Sequence, residues 1–319
     1  EGLANQDGIG AAFDAYAERK AICWGYASLC QLMGIIAGIP VGFISGDSAS
    51  GGLHAWNAAL VDGKWVFFDA TWGEWNMAPN YHSSTGDIDV YDGIYRLRIM
   101  SNIEDDRVDM IVSLRPGFES QCPANLTIPS YGVTEIANFY NCTNLESVTL
   151  PNSIVRIGGG AFNGCTNLKS INIPDGVTTI GNSAFMGCTS LKNITIPNSV
   201  TTLENLAFAQ SGLTSVTVPD SVTSMEAAFY ECADLESVIL GRGITSIGDS
   251  AFMGCTSLTD ITIPNTVTTI EDQAFWNCTS LERVIIPEGV TSIGKLAFAE
   301  CTNLKQVDLP DSLTDLDPS

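Results

Sequence analysis

Positive charge is what this sequence has least of. Only 14 of its 319 residues are Lys or Arg, against 36 Asp and Glu, and the formal charge is −22 with the two histidines neutral. A surface that tracks phosphates needs a basic footprint, so nucleic acid is excluded as a partner. Nor does any run approach the ~20 apolar residues that span a bilayer, so no transmembrane segment is expected in this chain. CxxC pairs are absent and neither histidine lies near the repeated cysteines described below, which leaves no metal site and no cofactor motif to name. Disorder is excluded as well, because 45% of the residues are apolar and only 16% are charged. There is no signal-peptide pattern and no initiator Met, so the chain reads as a piece of a longer protein.

The acidity is not a tail. Residues 1–121 hold 16 acidic and 7 basic groups and the remainder 20 and 7, which describes two moderately acidic globules. The length allows two domains, each with a core.

What is present in abundance is a repeat. Seven of the ten cysteines, from Cys142 to Cys301, each follow a phenylalanine by three residues, and an eighth copy, at Phe208, has Ser211 in the cysteine slot. The phenylalanines recur every 23 residues, apart from one 21-residue step between Phe208 and Phe229. A period in this range is the mark of a solenoid. In the copy at 161–183, Leu168, Ile171 and Ile173 alternate inward around Ser170 and Asn172 as a short strand, which Pro174 and Asp175-Gly176 stop. Val177 and Ile180 form a second inward pair. No coil buries these groups alone, whereas stacked coils do, with a parallel ladder and continuous columns of Phe, Cys, Ile and Leu. The 21-residue step is expected to be absorbed as two tighter turns, at "AQSGL" and "SMEAAF". The repeated cysteine is expected to be a small buried filler, since ladder neighbours point in parallel and do not face each other. Cys122 is expected to be an inert junction residue. The outward strand positions, from Ser147 to Gln306, are small and polar and nearly without aromatics, which favours a solvated spacer face over a ligand surface.

"LKSINIPDGVTTIGNSAFMGCTS" resembles the BspA-like leucine-rich repeats of bacterial and some protist cell surfaces. The resemblance covers residues 122–319, about eight coils of 23 residues, and implies a β-solenoid with a parallel strand ladder. An extracellular or cell-surface location, with a host or cell-surface protein as a possible partner of the repeats, is what it implies.

Residues 1–121 lack the period and hold five of the six tryptophans and both histidines. "GGLHAWNAALVDGKWVFFDATW" (51–72) reads as a β-hairpin centred on Asp62-Gly63, the dipeptide favoured for a two-residue turn. That register pairs Val61 with Lys64, Leu60 with Trp65 and, outward, Trp56 with Asp69, making His54 the diagonal neighbour of Asp69 on one face. A carboxylate on the imidazole leaves its other nitrogen free to take a proton. Cys23 opens the helix expected over "WGYASLCQLMGIIAG", where amide dipoles favour a thiolate. Cys30, two turns deeper between Leu29 and Met33, reads as core, and His82 as a loop surface residue. Residues 73–121 read as edge strands or a connector.

The order Cys, His, Asp, with "C.GYA...C.L....GI", "HAWN" and "DGKW....D.TW", is similar to the transglutaminase-like superfamily, an α+β fold with a papain-like core. The resemblance covers Ala11–Trp72, and residues 1–121 are then an N-terminally truncated domain of this kind with its connector. It implies Cys23 as nucleophile, His54 as general base and then acid, and Asp69 as orienter, with Trp56, Asn57 and Trp72 packing around them. The family reaction passes through a thioester on a protein or peptide substrate; water as acceptor makes it a protease or amidase, an amine makes it a transglutaminase. The family's upstream helix is short or absent, Trp24 stands beside the nucleophile as either a substrate wall or a narrowing of the entrance, and the Cys23 backbone N–H is the one oxyanion donor that can be named. Two readings stay open: an acyl-transfer enzyme on a repeat module, or a surface binding protein whose transglutaminase-like domain is inactive.

Overall fold

The computed structural model describes seven strands between Val41 and Leu114 by their backbone, and residues 111–114, 116–128 and 133–316 with their side chains. The chain divides into two compact units, residues 1–115 with 131–133, and residues 116–130 with 134–319.

Within the first unit the strands are β1 (Val41–Asp47), β2 (Leu53–Val61), β3 (Lys64–Asp69), β4 (Glu74–Trp75), β5 (Ile88–Asp92), β6 (Tyr95–Asn102) and β7 (Arg107–Leu114). They form one antiparallel run in the order β7-β6-β5-β1-β2-β3-β4. Most neighbours in space are neighbours in sequence, the outcome expected of short connections; the exception is β1, which sits between β2 and β5. The alternation in "YDGIYRLRI" and "DDRVDMIV" resolves into β5, β6 and β7. The expected helix over 24–38 lies outside the described residues.

The second unit is a solenoid of parallel coils. One set of short strands comprises Asn125–Thr127, Ser147–Thr149, Ser170–Ile171, Ser215–Thr217, Ser237–Ile239, Asp260–Thr262, Arg283–Ile285 and Gln306–Asp308. A second set, with Arg156–Ile157, Thr179–Ile180, Thr269–Ile270 and Ser292–Ile293 among its members, runs along another side. Most inward positions are buried: Val148, Val216, Val238, Ile261 and Val284 are at most 5% exposed and Val177 and Ile180 are inaccessible, whereas Ile171 and Ile173 are only half-buried and Val307 of the last coil is exposed. Threonine columns lock adjacent coils, because each hydroxyl donates to the carbonyl one coil back; Thr268 Oγ1 reaches Thr245 O at 3.2 Å and Thr291 Oγ1 reaches Thr268 O at 3.3 Å.

The phenylalanines form the third side. Phe139 through Phe298 stack coil upon coil with ring centroids 5.2–6.2 Å apart and planes within 25°. The short coil keeps this spacing, with Phe208 and Phe229 5.6 Å apart. Its cost appears elsewhere. At Gly212 a Cβ would fall onto the Thr189 carbonyl, so glycine is what lets the shortened turn through. The second ladder there is reduced to an isolated bridge between Leu203 and Met225. The first ladder is not continuous either, since residues 193–195 adopt no strand although their coil is in place.

Two expectations about cysteine are corrected. Cys122 is not inert and Cys142 is not a filler, because they form a disulfide with Cα atoms 5.6 Å apart. Cys122 stands 23 residues before Leu145, in the column of buried leucines. It is therefore offset from Cys142 along the coil and meets it, where two cysteines of one column would lie parallel. The other ladder thiols are buried as expected, apart from the half-buried Cys301 in the last coil, but also make a directed bond. Cys165, Cys188, Cys232, Cys255, Cys278 and Cys301 each donate to the carbonyl of the phenylalanine 24–26 residues earlier, at 3.0–3.2 Å. A thiol is thus a small apolar group that still satisfies a buried C=O.

Candidate functional site

Of the three residues expected to carry chemistry, His54 and Asp69 fall on described strands, while Cys23 lies outside the described residues, as do Cys30, Trp72 and His82. Strands β2 and β3 pair with Val61 opposite Lys64, Leu60 opposite Trp65 and Asn57 opposite Phe68. This is the register that a two-residue Asp62-Gly63 connection dictates. Asp69 follows Phe68 at the end of β3, with Glu74 of β4 across its far side. Carried one step beyond Asn57–Phe68, the same register sets Asp69 against Trp56, two residues along β2 from His54. Positions 54 and 56 share the parity of the pleat, and a diagonal of this kind spans roughly 7–8 Å. Position 54 also faces Gly46 of β1. β2 is therefore paired on both edges, and its backbone cannot slip without breaking two ladders.

The solenoid offers a different surface. On the outward strand face Ile239 and Ile285 are 65% and 54% exposed, separated by Thr262, and Arg283 meets Asp308 at 2.6 Å. That guanidinium holds the Asp308 carboxyl below the usual carboxylate range. Burial disfavours the thiolate at the ladder cysteines. Burial pushes Cys165 up to about 12 and Cys232 up to about 11, and Cys255 is raised in the same direction. Among the described residues no group of three or more His, Cys, Asp or Glu side chains is arranged to hold a metal ion, and no helix is long and apolar enough to cross a membrane.

The thiol–carbonyl and threonine ladders escaped sequence reasoning, although the invariance of Cys and Thr spacing was visible. Spacing reveals which residues share a column; it does not reveal which backbone atom of the next coil each one meets.

Comparison with known proteins covers both units. The model of the BspA type leucine rich repeat region matches residues 117–228 and 225–319, and that of the transglutaminase-like superfamily matches residues 3–70. Kyphoscoliosis peptidase from Mus musculus is 37% identical over 71 residues, covering 19% of this chain and 11% of the relative. The Homo sapiens protein of the same name gives the same identity and coverage. The chain therefore spans only 11% of the length of the curated relatives it matches. Among solved structures, a leucine-rich repeat protein from Bacteroides ovatus superposes with a TM-score of 0.54 at 25% identity, over 69% of this chain and 74% of that one.

Proposed function

This chain belongs to the BspA-type leucine-rich repeat family, and from that premise we propose that it is a secreted or cell-surface cysteine acyl-transfer enzyme carried on a repeat module. The observation that carries the reading is the transglutaminase-like match over residues 3–70, which takes in Cys23, His54 and Asp69 together. The register of β2 and β3 supports it, since it sets Asp69 on the strand beside the one that carries His54.

In this reading the Cys23 thiolate attacks the carbonyl carbon of a carboxamide or peptide. The S–C bond forms as the C=O π pair moves to oxygen, where the Cys23 N–H receives it. His54, as the imidazolium oriented and stabilised by Asp69, gives its proton to the departing nitrogen as the C–N bond breaks, leaving a thioester. His54 then takes a proton from the acceptor, and the thiolate leaves as the acyl group passes on. Water as acceptor yields hydrolysis; a primary amine yields transamidation. The repeat unit supplies a surface for protein partners.

The test is alkylation of the full chain. Iodoacetamide near pH 6 is expected to label Cys23 rapidly, and His54→Ala to slow that labelling by about 10²-fold, as the thiolate fraction falls to that of an ordinary thiol with pKa about 8.5. Slow labelling of Cys23 that His54→Ala leaves unchanged removes the enzyme reading and leaves a surface binding protein. Amine incorporation measured beside peptide hydrolysis then decides the acceptor.

A further inference from the structure

The outer face of the phenylalanine turns carries a feature unlike the polar strand face. In three consecutive coils the residue after the phenylalanine is Tyr230, Met253 and Trp276, each half-buried on the outside. These positions are stacked directly, because Glu231 N–H donates to Met253 O at 2.7 Å and Gly254 N–H donates to Trp276 O at 2.8 Å. Three residues before each phenylalanine stand Glu226, Asp249 and Asp272, all exposed, and they too form a column: Ala227 N–H donates to Asp249 O at 2.9 Å and Ser250 N–H to Asp272 O at 3.0 Å. Glu231 adds an acid on the other flank. None of these four carboxylates forms an ion pair with a described cation, whereas the exposed lysines 169, 192 and 305 do find acidic partners.

We propose that this aromatic–methionine column, edged by carboxylates that accept hydrogen bonds from neighbours such as Gln210 and the Lys295 N–H but have no cationic partner among the described residues, is a docking surface for a basic amphipathic α-helix of a partner protein lying along the solenoid axis. Tyr, Trp and Met are the residues that interface centres enrich, and Met adapts to varied apolar partners. The helical form follows from spacing. Successive coils are 5.6 and 5.4 Å apart at Phe229–Phe252 and Phe252–Phe275, and one α-helical turn rises about 5.4 Å. Each helical turn then meets one coil, so apolar residues at i, i+4 and i+7 fall on Tyr230, Met253 and Trp276 while Lys or Arg beside them reach the acid column. An extended chain, at about 3.3 Å per residue with alternating sides, does not repeat in step with the coils. A second copy of this chain is disfavoured as occupant because its formal charge is −22, and an anionic membrane for the same reason.

The experiment uses the full chain and a fluorescein-labelled synthetic peptide of about 14 residues, with Leu at i, i+4, i+7 and i+11 and Lys flanking them, beside a scrambled peptide of equal composition. Anisotropy titrations are run at low and high salt. The periodic peptide is expected to bind at least about tenfold more tightly than the scrambled one, and the paired substitution Tyr230→Ser with Trp276→Ser to weaken it by about tenfold or more. Glu226→Gln, Asp249→Asn and Asp272→Asn together are expected to flatten its salt dependence. Equal binding of both peptides, or of neither, overturns the proposal without recourse to any variant. So does periodic-peptide binding that the paired substitution leaves intact.

Discussion

The two described regions build sheets by opposite rules. In 41–114 most strands pair with a partner that is adjacent in sequence, and each register is set locally by the connection, as Asp62-Gly63 sets that of β2 and β3. In the solenoid every strand pairs with one that lies a whole repeat away, such as Thr179 with Arg156, and no turn connects the two partners directly. There the register is held by columns of like side chains stacking across coils. The local rule makes the first sheet sensitive to single insertions, whereas the column rule lets the solenoid lose two residues between Phe208 and Phe229 and keep a 5.6 Å ring spacing.

That comparison can be broken most severely at the column. Phe208→Ala removes an inaccessible ring stacked on both sides and should cost about 3–5 kcal/mol, read as the drop in urea-unfolding free energy of the full chain. A loss under about 1 kcal/mol would show that the columns do not set the register. Next in size is a single glycine inserted between Asp62 and Gly63. It shifts β3 by one residue, turns Asp69 to the opposite face from His54, and is expected to reduce Cys23 alkylation to the His54→Ala rate while the unfolding of the repeats is unchanged.

The thiols sharpen the contrast through pH. Cys165 and Cys232 are pushed from 9.0 up to about 12 and about 11 by burial, so the folded state keeps protons that the unfolded chain releases. Their contribution is fully present below pH 9 and is lost as pH rises through 11–12, at about 1.4 kcal/mol per pH unit for each thiol while only the unfolded form has ionised. Denaturant midpoints between pH 8 and 11 check this; a flat profile contradicts it. The smallest effect concerns turn conformation. Position 300 has φ +58°, in a slot where Gly164, Gly187 and Gly254 also have positive φ. Glu300→Gly should therefore stabilise by roughly 0.5–1 kcal/mol, the relief of a left-handed side chain less the entropy of glycine, seen as a small rise in midpoint.

The site was legible in its register but not in its assembly. Alternation around Asp62-Gly63 is enough to set Val61 against Lys64, because a two-residue turn leaves one pairing that keeps the pleat in phase. Cys23 is separated from that hairpin by residues whose path no local rule dictates.

By itself the sequence determined the period, the buried columns of Phe, Cys, Leu and Ile, and the hairpin register, since each follows from spacing read against the pleat or the coil. Tertiary structure alone decided that Cys122 pairs with Cys142, that the ladder thiols bond to phenylalanine carbonyls, and that the strand ladder lapses at 193–195. The physical reason is common to all three. Each depends on how far one coil is offset from the next, a distance of a few ångströms set by packing among many residues and written in no single stretch of chain.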